Sequence, residues 1–261
     1  MALAPVLIRA PGTGIGQILG RDPAVNDGTL FAFDFADTYC WPDQASAPDG
    51  SEFINLIDSG GSAFVNTSGP AIGFFDDGFR YNVGATDQVI DLPDETKFAA
   101  STGFVVSVVI TIETQTQAAK SRICGYFDGS DNTGAWGLYT ANGRFYFVIN
   151  GQVMPSSYTI ATFGTGPHTF TLSWADEGDG YKCKLYVDGT LDQEADADNA
   201  TLNTPTDTTT PTLGESSDDE TAPYWIGKIC RCIGHDLAST ELTVADIAAA
   251  EWAVTDGRFV A

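Results

Sequence analysis

Oxygen donors dominate the side chains that could do chemistry. The chain carries 35 Asp+Glu against 12 Lys+Arg, a formal charge of −23, and only 2 His. Hard cations such as calcium take clustered carboxylate and amide oxygens. Asp128-Gly129-Ser130-Asp131-Asn132 offers such donors in a short loop, so Asp128, Asp131 and Asn132 are the candidate calcium ligands. Asp176-Glu177-Gly178-Asp179 and Asp218-Asp219-Glu220 are further acidic clusters, which read as solvated turns. No metal or cofactor is expected to be required. His168 opens a strand and reads as structural, and His235-Asp236 shows no obvious partner. The chain has no G-x-S-x-G elbow, no H-E-x-x-H pair and no phosphate loop. Gly12-Thr13-Gly14-Ile15-Gly16 lacks both a preceding strand and a following Lys. The five cysteines (Cys40, Cys124, Cys183, Cys230, Cys232) are odd in number and widely spaced, so they read as buried thiols. On a regular strand Cys230 and Cys232 would point to one side.

Sugar binding needs an exposed aromatic platform with polar neighbours. Trp136, Tyr139, Tyr224 and Trp225 are the candidates. Their competing reading is core packing, since adjacent Tyr224 and Trp225 on a strand put one ring in and one out.

The elements that must position these residues are strands. Phe104-Val105-Val106-Ser107-Val108-Val109-Ile110-Thr111-Ile112 puts Phe104, Val106, Val108, Ile110 and Ile112 on one face. In Thr169–Trp174 the residues Phe170, Leu172 and Trp174 face in and the hydroxyls face out. Lys182–Val187 alternates with Cys183, Leu185 and Val187 inward, and Arg144–Ile149 is an aromatic strand. Asn142-Gly143, Asn150-Gly151 and Asp188-Gly189 tolerate the positive φ of tight hairpin turns. One helix starts at Thr243, with Asp246 at capping-box spacing and Val244, Ile247 and either Glu251 or Trp252 on its packing face. Residues 176–220 hold thirteen carboxylates and two lysines; beyond the 181–187 strand they read as long loops on one rim. Many short strands between turns mean an all-β sandwich.

Residues 1–27 stand apart as an extended N-terminal arm, rich in Pro and Gly with zero formal charge, and residues 28–261 form the domain. A pI of about 4.1 excludes nucleic acid as a partner and disfavours anionic membrane surfaces. No run is long and apolar enough to span a bilayer, and the N-terminus has no cationic leader pattern.

Four segments carry a family resemblance. Leu30–Asp37 with Phe53–Gly60 resembles an opening strand and its loop. Gly73–Asp77 through Val89-Ile90-Asp91-Leu92-Pro93 to Phe104–Ile112 resembles the next block. Gly166–Trp174 with Tyr181–Gly189 is similar to a recognisable hairpin. Pro223–Ile229, Ile233-Gly234 and Leu242-Thr243 with its helix resemble a closing strand pair and terminal element. Together, over about residues 28–252, they resemble the concanavalin A-like lectin/glucanase superfamily in its laminin-G-like form. The resemblance implies a two-sheet antiparallel jelly roll with a short C-terminal helix.

Glycosidases of this fold place carboxylates in an E-x-D-x-x-E strand. Here Glu194-Ala195-Asp196-Ala197-Asp198-Asn199 lacks the last Glu and reads as an acidic loop, so no enzyme is expected. Laminin-G-like domains without a secretion signal resemble those of tailed-bacteriophage virion proteins, so the resemblance implies, as the leading expectation, a virion structural protein, a capsid decoration or tail-associated one, with its jelly roll facing outward. It would be made in the host cytoplasm, docked on other virion proteins through residues 1–27, and homo-oligomeric or part of a larger assembly. The alternative is a lectin module for host surface glycan, and the third reading is a glycoside hydrolase.

Overall fold

The computed structural model describes residues 22–58, 60–75, 77–81, 88–113, 121–128, 133–202, 209–214 and 227–259. Two antiparallel sheets of eight strands face each other. Sheet 1 holds β1 (Thr29–Asp34), β4 (Gly73–Phe75), β5 (Gly78–Tyr81), β7 (Phe104–Ile112), β12 (Pro167–Asp176), β13 (Tyr181–Val187), β14 (Thr190–Asp196) and β16 (Gly227–Asp236). Its order is β14-β13-β12-β7-β16-β5-β4. β1 and β5 lie end to end on one edge of β16, which pairs with β5 through Gly227–Ile229 and with β1 through Arg231–His235. Sheet 2 holds β2 (Glu52–Phe53), β3 (Ala63–Thr67), β6 (Gln88–Asp91), β8 (Ser121–Asp128), β9 (Thr133–Ala141), β10 (Arg144–Ile149), β11 (Gln152–Thr159) and β15 (Thr212–Leu213). Its order is β11-β10-β9-β8-β15-β6-β3-β2.

The core lies between the sheets and is built by the alternation the sequence shows. Phe104, Val106, Val108, Ile110 and Ile112 of β7, Phe170, Leu172 and Trp174 of β12, and Cys183, Leu185 and Val187 of β13 all enter it. Each such large apolar side chain contributes about 1.5–3 kcal/mol on burial. The hairpins turn at Asn142, Asn150 and Asp188, whose φ angles are 50°, 49° and 49°. Positive φ here matches the strand twist, so these turns fix the register of β9–β10–β11 and of β13–β14.

Every residue of β7 is buried, because sheet 1 is covered on its outer side too. A one-turn helix α1 (Ile160–Phe163) follows β11, and helix α2 (Val244–Thr255) is capped by Thr243 and Asp246 in a reciprocal box. It lays Val244, Ile247 and Ala248 against Val105, Ala175 and Tyr186. The outward hydroxyls of β7 and β12 are therefore buried rather than solvated. Ser107 bonds Thr171 at 2.8 Å, and Thr169 bonds Thr255 of α2 at 2.7 Å.

Glu251, not Trp252, completes the packing face of α2. It meets Arg231 of β16, which is 0% exposed. Arg231 Nε donates to Glu251 Oε1 at 2.6 Å, and Arg231 Nη1 to Asp34 Oδ2 at 2.8 Å. Arg231 Nη2 lies 2.7 Å from Asp22 Oδ2, and Arg258 Nη1 lies 2.6 Å from Asp34 Oδ2. A register shift between Ile229 and Arg231 makes room for this network. An extra residue at a bulge breaks the alternation. Cys230 therefore packs outward on Val109 and Phe259 while Cys232 enters the core, so the two thiols do not share a side.

Residues 22–27, grouped above with the arm, pack on the body. Ala24 is 1% exposed in the core, and Asn26 Nδ2 lies 3.1 Å from His235 Nδ1. A chain beginning at Gly28 is therefore expected to melt below one beginning at Asp22, because only the shorter chain loses Asp22 from Arg231 and Asn26 from His235. Equal melting curves would show that this segment contributes nothing to the body. Residues 1–21 lie outside the described residues.

The Glu194–Asp196 stretch is strand, not loop. Lys184 faces Glu194 and Lys182 faces Asp196 across the β13–β14 pair. Both lysines are ion-paired to these carboxylates. Opposite charges directly across a ladder favour the pairing, which offsets the low strand propensity of Asp, Glu and Ala.

Candidate functional site

The aromatic candidates separate once the strands are in place. Trp136 of β9 points between the sheets, is 0% exposed, and donates its indole N–H to the Thr96 carbonyl at 2.8 Å. It is core, not platform, because the β9 alternation gives Trp136 and Leu138 to the interior. Tyr139 points outward but is buried, stacked on Tyr146 with centroids 5.2 Å apart and planes at 12°. Beside it the Phe127 ring lies over Gly137, where a Cβ would come within 2.2 Å of Phe127 Cζ. Arg122 puts its guanidinium 4.9 Å from the Phe127 centroid. Within this outward cluster on sheet 2 Phe127 and Tyr139 are buried and Tyr146 is half-buried. Tyr224 and Trp225 lie outside the described residues; Gly227, two residues on, pairs with Tyr81 and Ile112.

An open ring exists at the other edge. In β4, Phe74 turns inward to meet Phe79 at 5.2 Å, so Phe75 turns outward and is 48% exposed. Its ring lies against Gly73, where a Cβ would come within 2.9 Å of Phe75 Cε2. The Arg80 guanidinium sits 5.6 Å from the ring centroid. Arg80 Nε donates to Glu113 Oε2 at 2.7 Å, and Nη2 lies 2.6 Å from the same oxygen. The Arg80 and Glu113 side chains are 33% and 29% exposed.

Register explains the grouping. Gly73, Arg80, Lys228 and Thr111 form one cross-strand row, and Glu113 follows two residues beyond Thr111. Lys228 is buried in this row and paired with Asp77 at 2.8 Å. Chemically, the set offers an apolar ring face, a donor fork and a carboxylate acceptor side by side. A cyclic polyol presents the matching features: C–H faces and adjacent hydroxyls that both donate and accept.

Sequence reasoning did not single out Phe75, Arg80 or Glu113. The available signal was Phe74-Phe75 before Asp76-Asp77-Gly78, because two adjacent rings on a strand cannot both face in. The remaining groups of the sequence analysis have structural partners or fall elsewhere. His168 Nδ1 lies 2.8 Å from Asp188 Oδ2 and its Nε2 lies 2.9 Å from the Phe163 carbonyl, which ties β12 to the hairpin. His235 is buried against Asn26 and Thr29. Burial pushes all five thiols up, Cys183 to about 12, so none of them is poised as a nucleophile. Asp128 ends β8, and Asp131 and Asn132 lie outside the described residues. Among the described residues, no group of three or more His, Cys, Asp or Glu could hold a metal ion.

No protein-family model and no curated protein matches the sequence. Solved structures do match its fold. A Trypanosoma rangeli sialidase in complex with 2,3-difluorosialic acid superposes with a TM-score of 0.58 at 15% identity, over 98% of this chain and 36% of the sialidase. Botulinum neurotoxin type C, whose cell entry depends on interaction with two ganglioside molecules, gives 0.59 at 14% identity, over 87% of this chain and 51% of that one. The binding domain of botulinum neurotoxin DC, in complex with rat synaptotagmin II, gives 0.57 at 13%, over 87% and 52%. The chain thus spans between about a third and a half of the proteins it resembles. Topology and these likenesses together define its class: a concanavalin A-like jelly-roll sandwich with a short C-terminal helix.

Proposed function

We propose that this domain is a lectin-like carbohydrate-binding module whose contact set is Phe75, Arg80 and Glu113. One observation carries the reading: an aromatic ring, exposed by 48%, lies on the sheet beside an arginine–glutamate pair that stays accessible. Exposing a phenylalanine forfeits its burial energy, and Gly73 is what lets the ring lie down against the strand. The opposite end of the same sheet is closed by α2. Two structures that share the fold were studied for a sialic acid derivative and for gangliosides, which is in keeping with a sugar as the class of ligand.

The reading is binding without turnover. Glu194 and Asp196 of β14 each lie opposite a lysine of β13 and are ion-paired to it, so their place is as partners across the ladder. Docking on a particle through residues 1–27 has less support: Asp22–Asp27 pack on the body, and residues 1–21 lie outside the described residues.

Phe75→Ala should weaken glycan binding by at least ~10-fold, about 1.4 kcal/mol, while leaving the melting temperature close to wild type. Titration calorimetry on a glycan identified by array screening measures the first, and a thermal melt the second. Wild-type affinity in Phe75→Ala would remove Phe75 from the site.

A further inference from the structure

We infer that the Phe75 site selects uncharged sugars and rejects carboxylate-bearing ones such as sialylated glycans. The inference rests on the carbohydrate-binding reading and deepens it. Its ground is the state of the cations at this corner. Arg80 is already bound through Nε and Nη2 to Glu113 Oε2, and the neighbouring Lys228 is held by Asp77. Among the described residues here, these two cations face two carboxylates, so the pairs offer an incoming anion no net positive charge. The rest of the surface does not help, because the chain carries −23 overall.

An acidic sugar would have to take Arg80 from Glu113. That exchanges one charge-assisted pair for another and leaves Glu113 beside a second carboxylate. Like charges a few ångströms apart disfavour the complex, which is discrimination by a repulsive element. A neutral diol displaces nothing. Among the described residues, Glu113 Oε1 and Arg80 Nη1 make no protein hydrogen bond. One hydroxyl can donate to Oε1 while its neighbour accepts from Nη1, with the C–H face of the sugar on Phe75. The repulsion acts at contact distance, inside the ~8 Å screening length of physiological salt, so salt weakens it little.

The test is an array of neutral glycans beside their sialylated and uronate-bearing counterparts, probed with wild type, Phe75→Ala and Glu113→Gln at low and high NaCl. Wild type should bind neutral members at least ~10-fold more tightly than the matched acidic ones, at both salt concentrations. The hits should vanish in Phe75→Ala. Glu113→Gln keeps the side-chain shape and an acceptor oxygen but removes the charge, so it should narrow the preference several-fold. Hits confined to acidic glycans, or equal binding of both kinds, overturn the charge selection and leave the carbohydrate-binding reading standing. Binding to no glycan overturns that reading and the selection with it. Hits that persist in Phe75→Ala move the site elsewhere and overturn the selection as argued from this corner.

Discussion

Arg231→Met is expected to destabilise the fold by about 3–5 kcal/mol, the cost of leaving buried charges without their partner. Arg231 is 0% exposed and joins four parts of the chain: Asp22 of the N-terminal segment, Asp34 of β1, its own strand β16, and Glu251 of α2. Without the guanidinium, Glu251 is a fully buried carboxylate facing Asp22 and Asp34. Arg258 reaches only Asp34 among these three. For a chain of this size the loss corresponds to a melting temperature lower by about 6–20 °C. Arg231→Lys should recover only part of it, because a single ammonium cannot serve three carboxylates in the directions that the planar fork does. A double change of Arg231 and Glu251 to apolar residues should cost less than the two single changes added together, since each removes the charge that the other would strand. A melt of Arg231→Met that overlays wild type would mean that the network does not form.

The same residue shows where the sequence stops being readable. Arg231 stands in a run of apolar residues, and alternation alone assigns it to solvent. Its burial depends on α2 returning over β16, a contact between distant parts of the chain. What was readable is local. Period-two alternation in Phe104–Ile112 and Phe170–Trp174, positive-φ turns at Asn142, Asn150 and Asp188, and the Thr243–Asp246 cap each depend on a few neighbouring residues. The Glu194–Asp196 strand was hidden because its support is the lysines opposite on β13. Trp136 and Tyr139 were both plausible platforms until pairing fixed which face of β9 turns inward. Phe75 was obscured for the same reason: two adjacent phenylalanines say that one is out, and only the position of Phe79 says which.

His235 supplies the second large effect, a loss of stability in mild acid. Its Nδ1 lies 3.1 Å from Asn26 Nδ2 and 3.0 Å from Thr29 Oγ1. An amide nitrogen only donates, so Nδ1 accepts and the proton of the neutral ring sits on Nε2, which is buried and has no partner among the described residues. Burial first, and then the Arg231 charge, lower the pKa from 6.5 to about 3, with Asp22 pulling the other way. The unfolded chain therefore takes up this proton below about 6.5 while the folded chain refuses it until about 3. In that window the unfolded state binds more protons, so stability present above the upper value is lost as pH falls. At about pH 4.5 the loss from this group is about 3 kcal/mol. Glu251 works in the opposite direction: burial raises its carboxyl, so the folded state holds that proton at higher pH than the unfolded chain does. Comparison with His235→Gln isolates the histidine, because glutamine can accept from Asn26 and does not titrate. Urea unfolding followed down to about pH 4.5 should show wild type losing about 3 kcal/mol more than the variant, and parallel curves would mean that the folded ring takes up its proton as readily as the unfolded chain. A charged ring would also turn Nδ1 into a donor facing the Asn26 donor. The contact that acid breaks first is thus the one holding residues 22–29 to β16, and amide exchange in that segment should quicken before the core strands respond.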